Sequence, residues 1–361
     1  MDNISKEEII NSLKPINNRY FQIADLDGYA HKVLSVGKSE VLRDSNRDLL
    51  SYVLYYDNRP DIFITMVWTR EDSKGKGYAK SLIRKIIEST TKEITLEVAS
   101  ANPAKNLYSD LKFYAEDINS ETLFMRYSRR LSVMQPYVFP YIGYFHLIEA
   151  SDQIVFYDDV NFINRGWINR NRILMNNSDF LFTIPLEKAS QNRLINDIRP
   201  IINSKFHHSF FGQIESAYKK APFYYNVAEL LDEVFKLRND TIADLAINSI
   251  LSVLNYLGKD IRWKRSSLLS PETRGMDKAD RLIQITKNMN YNKYVNSIGG
   301  QDLYNKEYFK ARGVQLDFVQ PKLTEYKQYN DNFVPGLSII DILMFNDKKV
   351  VKEMMKSYTL L

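Results

Sequence analysis

The sequence contains no cysteine. That excludes disulfides, thiol nucleophiles, iron–sulfur clusters and cysteine-based zinc sites together. Histidine is scarce: His31, His146, His207 and His208 are the four in 361 residues. His207 and His208 are adjacent rather than spaced i, i+4 like a helical metal pair, so no all-protein metal site is expected. No apolar run is long enough for a helix to span a membrane. Charge of one sign is missing too. The 49 Lys and Arg and 44 Asp and Glu are interspersed, for a net charge of +5. A binder of nucleic-acid polymers would show a basic stripe or tail, so none is expected as a partner. The opening MDNISKEEII carries acids and no apolar core, unlike a secretory signal. The expectation is a soluble, cytoplasmic chain, with its oligomeric state left open.

What is present is ordinary globular material, 44% hydrophobic and 26% charged. The length suggests two domains, each large enough to bury a core. The best seam is Tyr127-Ser-Arg-Arg-Leu131, giving expected domains at 1–130 and 131–361. Before the seam, 7–13 and 29–34 pattern as helices, and 49–56 and 61–69 as a strand hairpin around the turn Asp57-Asn-Arg-Pro60. A glycine loop and a helix over 79–89 follow, with Leu82, Ile83, Ile86 and Ile87 on one face. A strand at 94–98, a short helix at 102–111 and a strand at 123–127 complete this part. After the seam, strands are expected at 131–134, 153–157, 168–175 and 180–184. Helices are expected at 143–150, 206–218, 227–257 (two), 278–288 and 338–345. Strand–helix alternation makes the whole chain α/β, with a mostly parallel sheet and a helical C-terminal part in the second domain.

In the first domain a strand runs into Lys74-Gly-Lys-Gly-Tyr-Ala79, and a helix follows at once. The first turn of a helix offers unpaired amides and a positive dipole end. Gly75 and Gly77 let backbone approach an anion, so with Tyr78 and Ala79 they outline a pyrophosphate nest, and Lys74 and Lys76 add positive charge. Downstream stand Ile94-Thr-Leu-Glu-Val98, Asn102, Ala104, Leu107, Tyr108, Leu111 and Phe113. With these residues, about 20–130 resembles the GNAT N-acetyltransferase superfamily. Its loop signature falls on Lys74, Gly77 and Ala79, and its second motif on Asn102 through Phe113. Lys74 stands where Arg or Gln is usual, and Lys112 where Gly is usual. The resemblance implies a GNAT-type mixed sheet and binding of acetyl-CoA or another acyl-CoA. The backbone of Met66, Val67 and Trp68 would pair with the pantetheine arm, and the loop amides would hold the pyrophosphate. Tyr108 would protonate the departing thiolate, and Asn102 would contact the cofactor or only cap a helix. Glu97, opposite Leu96 and Val98 by strand alternation, is a candidate general base or a solvated carboxylate.

The second domain carries Gln135-Pro136, Pro140, Gly143-Tyr144, Asp158-Asp159, Trp167, Asn169-Arg170 and Ser338…Asp341. In that order they resemble the WbqC-like protein family over nearly all of 131–361, which implies a surface-polysaccharide or nucleotide-sugar context. Gln135 ends a strand where open α/β sheets bind ligands. Tyr141 and Tyr144 occupy a helix start where nucleotidylyl transferases carry two histidines, which makes ATP a candidate ligand. Arg170 and Arg172 fall on one strand face and suit a phosphate or carboxylate, or a surface ion-pair ladder. Lys278 and Arg281, at i, i+3, share a helix face and could grip phosphate. Asp158 and Asp159 could take sugar hydroxyls or a cation, with alternation placing them on opposite faces. Trp167 could stack on a ring or serve as a core aromatic.

Together these features lead to an expected bifunctional enzyme of bacterial glycan-precursor metabolism. Its first domain would acylate a primary amine, on a nucleotide-linked amino sugar. Its second would bind a sugar nucleotide or make a second acyl or amide modification. Two alternatives stay open: a non-catalytic, substrate-presenting second domain, and a protein amine as acceptor.

Overall fold

The computed structural model describes residues 3–17, 19, 21–90, 92–118, 121–329 and 332–361, with the side chains of 116–118 outside the description. The chain separates into two compact units, Met1–Arg129 and Arg130–Leu361.

The first unit runs α1 (Lys6–Leu13), α2 (Leu26–Val36), β1 (Lys38–Arg43), β2 (Leu49–Tyr56), β3 (Ile62–Thr69), α3 (Tyr78–Ser89), β4 (Ile94–Ala99), α4 (Lys105–Asp110), β5 (Tyr114–Ile118) and β6 (Thr122–Tyr127). Its sheet order is β1-β2-β3-β4-β6-β5. The expected hairpin is the antiparallel β2–β3 pair, and β3–β4 is the parallel pair of this mixed sheet. β2 alternates between two cores: Tyr52 and Leu54 pack with Ile9, Leu13, Ala30 and Val33 of α1 and α2. Val53 and Tyr55 belong to the cluster that holds Leu82, Ile83, Ile86 and Ile87 of α3. Burying each of those four side chains contributes about 2 kcal/mol, which is what fixes α3 against the sheet. The strands that sequence patterning did not reveal, β1 and β5, are the two sheet edges. An edge strand need not be apolar on both faces, and β1 is nowhere fully buried.

The second unit opens with β7 (Leu131–Met134), α5 (Ile142–Glu149), β8 (Gln153–Phe156) and the hairpin β9 (Arg170–Met175) and β10 (Ser178–Thr183). A helical run follows: α6 (Ser204–Tyr218), α7 (Tyr224–Lys236) and α8 (Ile242–Tyr256). Then come β11 (Arg262–Arg265), α9 (Ser266–Leu269), α10 (Lys278–Asn288), β12 (Lys293–Ser297), α11 (Lys306–Lys310), β13 (Gln315–Pro321), α12 (Ile339–Phe345), α13 (Lys348–Met354) and β14 (Tyr358–Leu360). The sheet order is β11-β8-β7-β12-β13-β14. Every pair is parallel except β13–β14, so the sheet is mostly parallel with one antiparallel edge. Ile154 and Phe156 of β8 pack with α5 to α8, α12 and α13. Val155, between them, packs with α10, β12 and β13 on the other face.

Candidate active site and the second unit's residues

The site in the first unit begins where β3 and β4 part. They pair only over Ile62–Ile64 with Ile94–Leu96. The β2–β3 register shifts at this level, with Met66 opposite Leu54 but Ile64 opposite Tyr55, so Thr65 is the extra residue of a bulge. Bulges bend and twist a strand. Beyond it β3 keeps β2 on one side and forms no ladder with β4 on the other, so one backbone edge of Met66–Trp68 is open. The parting strands, the start of α3 and the start of α4 line a cavity of about 970 Å³.

At one end lies the glycine loop. Gly75 (φ 78°) and Gly77 (φ 82°) both adopt the left-handed region. Beyond the adjoining residues, no described protein atom lies within 4 Å of where their β-carbons would be, so glycine is required by the backbone and not by crowding. Gly77 precedes α3 and no side chain caps that end. The first amides of a twelve-residue helix are therefore left for a ligand. Lys74 is partly neutralised: its Nζ lies 2.5 Å from Glu71 Oε2, and this bond holds the Glu71 carboxyl below its ordinary range. Lys76 is exposed and does not line the cavity. The other residues expected at the cofactor, Met66, Val67, Trp68, Lys74, Gly75, Gly77, Tyr78, Ala79 and Asn102, line the cavity. Asn102 Oδ1 accepts from Ala104 N–H at 2.9 Å, an Asx turn that leads into α4.

Tyr108 and Glu97 also line the cavity. Tyr108 is 6% exposed. Burial alone pushes its phenol well above the ordinary value, and the described residues give it no hydrogen-bond partner. A neutral phenol with a free O–H is a proton donor in waiting. Glu97 is the exposed member of β4, between buried Leu96 and Val98. Sequence reasoning missed Ser12 and Thr65, which also line the cavity. Thr65 Oγ1 lies 3.2 Å from Tyr29 OH, Ser12 Oγ lies 2.8 Å from Tyr52 OH, and Trp68 stacks on Tyr52 at 5.5 Å. Burial pushes the Tyr29 phenol up to about 12 and raises that of Tyr52 as well, so both phenols stay neutral at physiological pH. The bulge at Thr65 leaves no local mark in the sequence.

In the second unit several expected ligand contacts are occupied by the protein. Tyr144 is buried and its hydroxyl donates to the Gln135 carbonyl at 3.0 Å. Tyr141 precedes α5 and covers Gly143, where a β-carbon would lie 2.2 Å from the Tyr141 ring. This helix start therefore holds packed phenols in place of two imidazole donors, and it lends an ATP site no support. Asp158 and Asp159 correct the alternation argument. They lie beyond the end of β8, and both converge on Ser266. Asp158 also accepts from Ser267 Oγ at 2.8 Å, and Asp159 from Arg281 at 2.7 Å and Arg274 at 3.3 Å. Arg281 and Lys278 do not present one accessible face. Arg281 is buried, its guanidinium 4.6 Å from the Tyr157 ring centre, while Lys278 is exposed. These groups clamp the carboxyl ends of β8 and β11 to the start of α10. Asn169 spends its side-chain amide on the Ile184 carbonyl at 2.8 Å. Arg170 and Arg172 do share a face of β9, beside Trp167, which is 43% exposed. Among the described residues no cluster of metal-ligating side chains forms, and no helix is long and apolar enough to cross a membrane.

The first unit is an acyltransferase domain: residues 12–113 match the acetyltransferase (GNAT) family. Residues 135–353 match the WbqC-like protein family, and the chain belongs to that family. An uncharacterized protein of Mycobacterium tuberculosis is 24% identical over 222 residues, 60% of this chain and 93% of that one. Among solved structures, spermidine N-acetyltransferase from Vibrio cholerae in complex with CoA and spermine is similar at 18% identity and a TM-score of 0.29, covering 35% of this chain and 92% of that one. Arabidopsis thaliana NAA60 in complex with acetyl-CoA is similar at 15% identity and a TM-score of 0.28, covering 34% and 93%.

Proposed function

We propose that the first unit transfers an acyl group, acetyl first among them, from acyl-CoA to the primary amine of a nucleotide-linked amino sugar, and that the second unit binds a sugar nucleotide of the same glycan-precursor chemistry. One observation carries the acyl-transfer reading. A single cavity brings together an open β-strand edge, uncapped helix amides behind left-handed glycines, and a buried phenol with no hydrogen-bond partner among the described residues. Acyl-CoA, when bound, supplies a thioester whose acyl carbon forms the new amide bond while the thiol leaves. The amides at the start of α3 hold its diphosphate, and the free edge of Met66–Trp68 aligns its amide-bearing arm. Tyr108 donates its proton to the departing sulfur, and Glu97 accepts the proton of the attacking amine. Ser12, Thr65 and Trp68 supply hydroxyls and an aromatic face at the acceptor end, a lining suited to a hydroxylated ring.

The test is Tyr108→Phe in the full chain, assayed with acetyl-CoA and nucleotide-linked amino sugars. Turnover falls about a hundredfold while KM for acetyl-CoA stays within about twofold. Folding stability is unchanged, because the lost hydroxyl has no hydrogen bond among the described residues. Unchanged turnover would remove Tyr108 from the reaction. Acylation of simple amines but of no amino sugar would reject the acceptor assignment.

A further inference from the structure

The loop leaving β8 makes a tight turn, closed by Gly166 N–H donating to the Ile163 carbonyl at 3.0 Å. Arg165 within it sits at φ 58°, a left-handed conformation that an L side chain adopts only at a cost. The turn aims two carbonyls at one guanidinium. Arg170 Nε donates to Gly166 O at 2.9 Å, and its Nη2 donates to Arg165 O. Arg170 is thus held by neutral acceptors, and the described residues place no carboxylate in ion-pair reach of it. Arg172, two residues along the same strand face, meets Asp179 at 3.2 Å across an exposed ladder, a pairing that water largely screens. Both guanidinium carbons lie near the Trp167 ring centre, at 5.9 and 5.7 Å.

The support beneath is rigid. Asn171 Nδ2 donates to the Phe139 carbonyl at 2.8 Å. Val138 N–H donates to Ile168 O at 3.1 Å, and Ser338 N–H to Arg172 O at 2.8 Å. The first two tie the loop that follows β7 to β9 and the residues before it, and the third ties β9 to the start of α12. This places β9 at the carboxyl end of β7, where open α/β sheets bind ligands. Two like charges are therefore fixed on one exposed indole with one weak counter-charge between them. Their mutual repulsion is relieved by an anion. The turn takes the Nε–Nη2 edge of Arg170 and leaves its Nη1 end to meet a phosphate oxygen, while Arg172 Nη2 donates to the Gly336 carbonyl at 3.3 Å and its Nη1 can exchange Asp179 for phosphate. The open indole offers a face for a ring attached to that phosphate.

We propose that Trp167, Arg170 and Arg172 form a binding site for a phosphate- or diphosphate-bearing ring compound, the chemistry shared by nucleotides and sugar phosphates. The site deepens the reading of the second unit as the holder of a sugar nucleotide and rests on it for the choice of probes. The experiment is titration calorimetry on the full chain with uridine diphosphate, N-acetylglucosamine 1-phosphate and inorganic pyrophosphate. Arg170→Gln and Arg172→Gln each weaken binding of the tightest probe about tenfold, and raised salt weakens the parent. Trp167→Ala removes the preference for the ring-bearing probes over pyrophosphate, and Trp167→Phe retains it. Arg170→Lys, which keeps the charge and loses the fork, melts with the parent yet binds severalfold more weakly. A preference for uridine diphosphate over the sugar phosphate assigns the ring to a nucleobase, and the reverse assigns it to a sugar. Probes that bind the parent and both Gln variants equally would overturn this site while leaving the sugar-nucleotide reading in place. Pyrophosphate binding as tightly as either ring compound would overturn the ring subsite. No binding of any probe to the parent would overturn both readings.

Discussion

Gly77→Asp separates the helix-building role of the glycine loop from its ligand-holding role. Gly77 has φ 82° and ψ 6°, and beyond its neighbours in the chain a β-carbon there would meet no described protein atom within 4 Å. A side chain therefore adds backbone strain without a clash, about 1 kcal/mol. For a domain of this size that is a fall of roughly 3–5 °C in Tm. The Asp carboxylate would stand beside the uncapped amides of α3, whose dipole offsets part of that strain. A bound diphosphate would face the same carboxylate. At about 5 Å and an effective dielectric constant of about 20, each unit of like charge costs about 3 kcal/mol. That exceeds a hundredfold in Kd. Gly77→Ala is the control: it carries the strain but no charge, and should weaken acetyl-CoA by less than about tenfold. The assay is calorimetry with acetyl-CoA, alongside thermal melts with and without it. Equal affinities for the Ala and Asp variants, or an Asp variant within twofold of the parent, would refute the argument that diphosphate sits on these amides.

Two further predictions concern stability. The Arg43 guanidinium, 2.5 Å from Glu8 Oε1, holds that carboxyl down at about 2. A depressed folded value contributes stability above the unfolded value of 4.5 and loses it as pH falls toward about 2. Arg43→Ala should therefore unfold in less urea than the parent at pH 5 to 7, with the gap closing by about pH 2; a constant gap would assign it to packing. In the second unit Asp341 is fully buried and accepts from Tyr218 at 2.7 Å, Tyr326 at 2.5 Å and Gln328 at 2.8 Å. Asp341→Ala removes the acceptor of the Tyr218 and Tyr326 hydroxyls and leaves Gln328 Nε2 the Val334 carbonyl at 3.2 Å, and should cost about 3 kcal/mol in urea unfolding. Burial raises the Asp341 pKa above its ordinary value. Relative to Asp341→Asn, carboxyl stabilisation is thus complete in acid and declines as pH climbs through the raised value. A loss below about 1 kcal/mol in the Ala variant would show that the donors find other partners.

Local periodicity carried much of this protein. The apolar stripe of α3, the β2–β3 hairpin, the left-handed glycines before α3 and the shared face of Arg170 and Arg172 are all set by residues within a turn or two of one another. Strands hidden from such reasoning fall into two groups. β1, β5, β11 and β14 are sheet edges, and the last two are no more than half-buried. β12 and β13 are interior, but polar residues interrupt their apolar pattern, and Lys293 and Asn296 are buried all the same. Long-range packing settled the rest. The gap between β3 and β4 depends on how each pairs with a different neighbour. Asp158 and Asp159 meet one serine because the chain has already left the strand. Arg281 is buried while Lys278 is exposed because a carboxylate more than a hundred residues away neutralises only the former. Spacing along a chain assigns a side chain to a face, but whether that face meets solvent, a counter-charge or a cavity depends on segments that folding alone brings together.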